Sequence, residues 1–190
     1  MKKVFAILLS AALLFSLAAC ASKGNEPGSS TNGVDPLTLL QTVWNSHSEN
    51  EKFAVSGGDL SPEHMKEDEP GVFSISDASE LDRELGFPEA EVSNITAAAS
   101  LVHMMNANTF TCGAFQLKDG VDAAALAKKV EQNIQSRQWM CGFPDKLVIV
   151  TVGQSVFSVY GNEELVNTFR DKLLASYPTA AAVYDEAINA

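Results

Sequence analysis

The chain has 190 residues with 24 acidic and 13 basic side chains, a formal charge of −11. That balance excludes nonspecific nucleic-acid binding, because nothing supplies the clustered lysine and arginine that neutralise phosphates. It also sets the folded surface against anionic lipid, so a polybasic membrane contact is excluded.

The amino terminus is organised differently from the rest. Lys2 and Lys3 precede an almost wholly apolar run from Val4 to Ala19, and small residues at Ala18 and Ala19 stand directly before Cys20. This is the layout of an export signal, and the run is shorter than the roughly 20 residues a spanning helix needs. Leu17-Ala18-Ala19-Cys20 resembles the lipobox of bacterial lipoproteins. The resemblance implies cleavage before Cys20 and acylation of its sulfur, with palmitate-type chains as the anchor. Residues 1-19 are therefore expected to be a lipoprotein signal peptide. Without Lys2 and Lys3 the remainder carries 24 acidic against 11 basic residues, a formal −13.

Residues 20-35 are expected to be the lipidated Cys20 and a flexible tether. Ala21 to Asp35 is built of Gly, Ser, Asn, Thr and Pro with little to bury, so its ordering entropy goes unmatched. Fifteen residues of this kind span on the order of 20 Å root-mean-square. Several acyl chains make such an anchor stable where one would be marginal.

Residues 36-178 are of a size for one α+β domain. Asp35-Pro36 opens a helix, with an acidic cap and proline in the first turn, and Leu37, Leu40, Val43, Trp44 and His47 recur at helical spacing. Ser56 to Gly71 is polar and bounded by turn residues. Within it Asp59, Glu63, His64, Glu67, Asp68 and Glu69 offer carboxylate oxygens to a divalent cation but lack the spacing of a calcium loop, and they read as a solvated charge run. Ser79 to Leu85 predicts a short helix closed by Gly86. A second helix is predicted from Pro88-Glu89 through Val92, Ile95 and Ala99 to Val102 or His103, since alanines favour helix.

From Asn108 to Leu117 the period changes to two, which predicts a strand. Asp122 to Gln138 predicts a long helix with Leu126, Ala127, Val130 and Ile134 on its stripe. Lys146 to Val152 and Ser155 to Tyr160, joined by Gly153-Gln154, predict a hairpin. Asn162 caps a last amphipathic helix that Pro178 breaks, and residues 179-190 are expected as a C-terminal tail or short helix. The fold class predicted is α+β: an antiparallel sheet whose β-α-β-β-α second half matches half of a ferredoxin-like unit, packed by additional N-terminal helices. Because Leu147 to Val150 is apolar on both faces, the early helices are expected on the face the last two leave open.

At Leu85-Gly-Phe-Pro-Glu-Ala-Glu-Val92, Met104-Met-Asn-Ala-Asn108 and Gly113-Ala-Phe-Gln-Leu-Lys-Asp-Gly120 the chain resembles a family of small lipoproteins of clostridia and related gut bacteria, a domain of unknown function. The resemblance covers roughly residues 72 to 176. It implies the same export address, a strand ending in Lys-Asp-Gly, a long helix and a hairpin. It implies no catalytic residue.

Chemistry-bearing residues are few. Cys112 and Cys141 remain once Cys20 is acylated, and they are read either as a disulfide or as two separate buried thiols. With His103, Met104 and Met105 they are soft ligands of the kind that suit Cu(I), but no Met-x-x-Met array supports them, and the methionines read as core packing. Trp139, Phe143 and Tyr160 could line a groove, although aromatics at such positions more often pack in a core. No nucleophile elbow, metalloprotease helix, phosphate loop or Cys-x-x-Cys is present, so neither catalytic residues nor a cofactor or metal are assigned. The function expected is a lipid-anchored binding domain on the extracytoplasmic side of the cell membrane, with an unknown protein or small-molecule partner and no nucleic acid. The alternative is a metal- or thiol-handling lipoprotein using Cys112 and Cys141.

Overall fold

The computed structural model describes residues 34–59, 61–140 and 142–189. The predicted signal peptide, Cys20 and nearly all of the tether lie outside them, as does Cys141. Elements follow the order α1 (Pro36–Asn45), β1 (Val55–Gly57), β2 (Lys66–Glu67), β3 (Gly71–Phe73), α2 (Ala78–Leu85), a 3-10 segment (Glu89–Asn94) and β4 (Ile95–His103). After a short 3-10 turn (Ala107–Thr109) come β5 (Phe110–Leu117), α3 (Ala123–Gln135), β6 (Lys146–Val152), β7 (Ser155–Gly161), α4 (Glu163–Ser176) and β8 (Ala181–Ala187).

The strands form one antiparallel sheet in the order β2-β1-β4-β5-β7-β6-β8, with β3 also on β4. Both β1 and β3 use the outer edge of β4, the first at Val102 and His103 and the second from Ala98 to Ser100. The fold is α+β, with a central sheet covered by helices on both faces.

Local chemistry explains the helix starts. Asp35 Oδ2 accepts from Thr38 N at 3.2 Å with Pro36 in the first turn, Asp122 Oδ1 accepts from Ala124 N at 2.9 Å, and Asn162 Oδ1 accepts from Glu164 N at 3.1 Å. Each of these satisfies an amide that the helix itself leaves unpaired. The apolar stripes then dock: Leu126, Ala127, Val130 and Ile134 of α3 are all buried on one side of the sheet.

Three expectations are corrected. The helix predicted from Pro88 to His103 stops at Asn94, and Ile95–His103 is a strand of the sheet. Alanine's helical preference is worth at most about 0.7 kcal/mol per residue over ordinary residues. Pairing with β5 along nearly its whole length outweighs that, because an apolar strand edge left unpaired under helices would bury unsatisfied amides. The small side chains have a use there, since Ala98 faces one core and Ala99 the other.

The alanine-rich end is the second correction. It is neither a tail nor a short helix but the edge strand β8, paired with β6 from Ala181↔Thr151 to Ala187↔Lys146. Asp185 fixes it through Lys146 Nζ at 2.7 Å and Arg170 Nη1 at 2.5 Å.

The third concerns layers. The helices divide as α1 with α4 on one face and α2 with α3 on the other. Connectivity requires this for the last pair. The crossovers β5-α3-β6 and β7-α4-β8 step the same way along the sheet but start from oppositely directed strands, so two crossovers of one hand lie on opposite faces. In a complete ferredoxin-like unit the fourth strand would pair beyond the first. Here β4 already occupies that edge of β5.

Candidate functional site

Antiparallel register brings the end of β4, the start of β5, the start of β6, the end of β7 and the first turn of α4 to one pole of the sheet, with Phe110 and Lys146 both opposite Gly161. Two loops meet there. Asn108 Nδ2 donates to the carbonyls of Met140 at 2.9 Å and Gly142 at 3.0 Å, tying the segment before β6 onto the turn before β5. Asp145 accepts from Glu163 N at 3.2 Å and Asn162 Nδ2 at 3.3 Å, and Asn162 N donates to Thr109 O at 2.8 Å. These bonds hold both loops against the helix.

An open hollow of about 550 Å³ lies over the first turn of α4, lined by Asp145, Asn162, Glu163, Glu164, Asn167 and Asp171 among others. A smaller one of about 200 Å³ adjoins it and shares Asp145 and Asn162, with Phe143 and Asn108 on its wall. The rim is apolar. Met104 is 46%, Met105 82%, Met140 80% and Phe143 47% exposed. Among the described residues seven large hydrophobic side chains are exposed, and four of them stand on these two adjacent loops. Scattered exposed hydrophobics are ordinary, but a group of them is not.

The electrostatics of the pole are negative. Glu163 and Glu164 meet no cation among the described residues. The nearby Lys146 is turned to Asp185, and Arg170 to Asp171 and Asp185. The amino end of α4 contributes only about half a positive charge against these acids.

The residues singled out in the sequence are dispersed. Cys20 and Cys141 lie outside the described residues, so the predicted acylation and the pairing with Cys141 do as well. Cys112 in β5 bonds no other cysteine among the described residues and is fully buried against the α1 and α4 side, where burial pushes its ionisation well above the usual thiol range. His103 Nδ1 accepts from the amide of Met105 at 3.2 Å, and its ring stacks on Phe53 with centroids 5.8 Å apart. It shapes the turn. Among the described residues no three His, Cys, Asp or Glu side chains are grouped so as to hold a metal ion, and no helix is long and apolar enough to cross a membrane.

Three expectations about side chains change here. Met104 and Met105, expected in the core, are on the surface. Of the three aromatics read as core, Tyr160 is buried and packs on Trp139 at 5.4 Å between centroids, but Phe143 is exposed at the pole. The acidic segment is not uniformly solvated either, because Asp59 is 6% exposed and accepts from His64 Nδ1 at 2.8 Å, Ser61 N at 3.0 Å and Ser74 N at 3.1 Å. Asp59 followed two residues later by Ser61 is the local signal for the first of these amide bonds.

Comparison with protein-family models, curated proteins and solved structures gives no match. The reading of function therefore rests on the residues themselves.

A thiolate, not a thiol, is the nucleophile and the soft-metal ligand. Buried as it is, Cys112 should resist a disulfide reagent in the native protein and react fully once guanidinium unfolds the chain, with the modified peptide identified by mass. Prompt native labelling at Cys112 would revive the thiol-handling alternative.

Proposed function

We propose that the chain is a lipid-anchored binding domain, held by acylated Cys20 on the extracytoplasmic side of a bacterial cell membrane. One observation carries the reading: an apolar run ends in Leu17-Ala18-Ala19-Cys20 and passes directly into a segment, Ala21 to Asp35, with little to bury. The resemblance to small lipoproteins of clostridia and related gut bacteria belongs to the same proposal. The apolar, acidic-lined pole is consistent with work by association.

Cys20→Ser tests the anchor. The wild-type protein should sediment with membranes, enter detergent, and carry the mass of a chain beginning at an acylated Cys20. The variant should lose both the acyl mass and the cleavage before residue 20. A variant with unaltered processing and mass would overturn the reading.

A further inference from the structure

Of the surfaces and clusters in the molecule, the pole beside α4 is the one whose features converge on an occupant. Three of the four methionines that follow Met1 stand there, with Phe143. Methionine is flexible and polarisable, and surfaces that accept varied apolar side chains use it heavily. Phe143 lines the smaller hollow, whose Asn106 follows Met105 in the chain and whose Asn108 donates to Met140 O at 2.9 Å, and that hollow shares Asp145 and Asn162 with the acidic one, so an apolar anchor seated on these loops would place its neighbouring residues toward Asp145, Glu163 and Glu164.

The position of the chain entry narrows the choice. Val34 packs on the α1 and α4 core, and Tyr177, just past the end of α4, donates to Leu39 O at 3.2 Å. Nearer the other end of α1, Lys172 Nζ donates to Ser46 O at 3.3 Å, so the two helices run antiparallel. The chain thus enters beside the C-terminal end of α4, while the methionines lie at its N-terminal end. Fourteen helical residues separate the two, roughly 20 Å at about 1.5 Å per residue.

From this we infer that the pole of Met104, Met105, Met140 and Phe143 docks a basic, apolar segment of a partner protein. The inference rests on the binding reading above and names its partner class. A second copy is disfavoured, since a self-complementary contact there would set Glu163 and Glu164 against their own equivalents. An anionic membrane meets the same repulsion. Lysine or arginine flanking a leucine, methionine or aromatic residue answers both the apolar rim and the uncompensated carboxylates.

The probe is a fluorescent eight-residue peptide alternating lysine with leucine, titrated against the acylated full-length mature protein in zwitterionic nanodiscs, with empty nanodiscs as blank. Saturable binding is expected. The double variant M105S/M140S and, separately, F143S should weaken it by about tenfold or more, the effect of losing a buried apolar side chain. E163Q/E164Q should weaken it and flatten its salt dependence. The distant exposed positions, in M65S/V183S, should leave it within about twofold.

No saturable binding, equal binding of a lysine-glycine peptide, or indifference to the pole variants would each overturn the inference. So would pole-dependent binding to phosphatidylglycerol vesicles, which assigns the surface to lipid, or a dimer in sedimentation that M105S/M140S dissociates. A protein that stays anchored through Cys20 yet fails these tests loses only the inference, whereas loss of acylation evidence removes the anchoring reading and leaves the peptide result standing.

Discussion

Gly161→Ala should destabilise the protein by about 3 kcal/mol or more, read as a fall in the denaturant midpoint at unchanged slope. The residue ends β7 with φ +146, a region that side chains other than glycine rarely adopt. A Cβ placed there would lie 2.3 Å from Thr109 O and 2.8 Å from Phe110 Cα. Both are backbone atoms, so no rotamer change relieves the overlap. Relief requires moving the β5 start away from β7, which breaks the Asn162 N to Thr109 O bond and spreads the loops of the pole. Gly120 separates the two contributions. It too has a positive φ, +82, but a Cβ there meets nothing within 4 Å, so Gly120→Ala should cost only the conformational strain, about 1 kcal/mol. Equal losses from the two substitutions would show that close packing at Gly161 is unimportant.

The elements read most directly from sequence are those whose local and tertiary preferences agree. The hairpin of β6 and β7 has its turn at Gly153-Gln154 and β-branched residues on both sides, and α3 has its cap at Asp122 and its stripe in phase. Where the two levels conflict, tertiary pairing decides. Ala97 to Ala99 look helical in isolation, but β5 needs a partner on that edge, and β4 supplies it. Ala181 to Ala187 likewise become β8 because β6 offers an edge and Arg170 and Lys146 offer counter-charges to Asp185.

The pole was hidden for a related reason. A methionine pair has the same local signal whether buried or exposed. Its exposure at Met104 and Met105 follows from a turn organised by His103, and its proximity to Met140 follows from Asn108, which reaches across 32 residues. Neither relation has a local pattern. Charge is legible to a lesser degree: the sequence places Glu163 and Glu164 in the first turn of α4, but that they meet no cation among the described residues depends on where Lys146 and Arg170 turn.

Removing the carboxylate of Asp59 should cost about 2 to 4 kcal/mol, since Asp59→Ala leaves the amides of Ser61 and Ser74 and the ring of His64 without an acceptor in a largely buried site. Those bonds fasten the loop between β1 and β3, and Gly58 N extends the fastening to Ser100 Oγ on β4 at 2.9 Å. Burial alone would raise the pKa of Asp59, but the hydrogen bonds from His64, Ser61 and Ser74 outweigh it and hold the carboxyl at about 2. Its ordinary value is about 3.8, so its contribution is complete above that pH and is lost as the pH falls toward about 2. His64 shifts the other way, raised chiefly by its hydrogen bond to Asp59 and further by the charges of Asp59 and Glu63, against desolvation and Lys66. Its contribution is complete below its ordinary value of about 6.5 and is lost as the pH rises through the raised value. The stability difference between wild type and His64→Ala should therefore be greatest between about pH 4 and 6.5 and decline on both sides. Denaturant midpoints measured from pH 2 to pH 9 check this, and a difference that stays constant across that range would mean that the Asp59 to His64 contact contributes no charge-dependent stability.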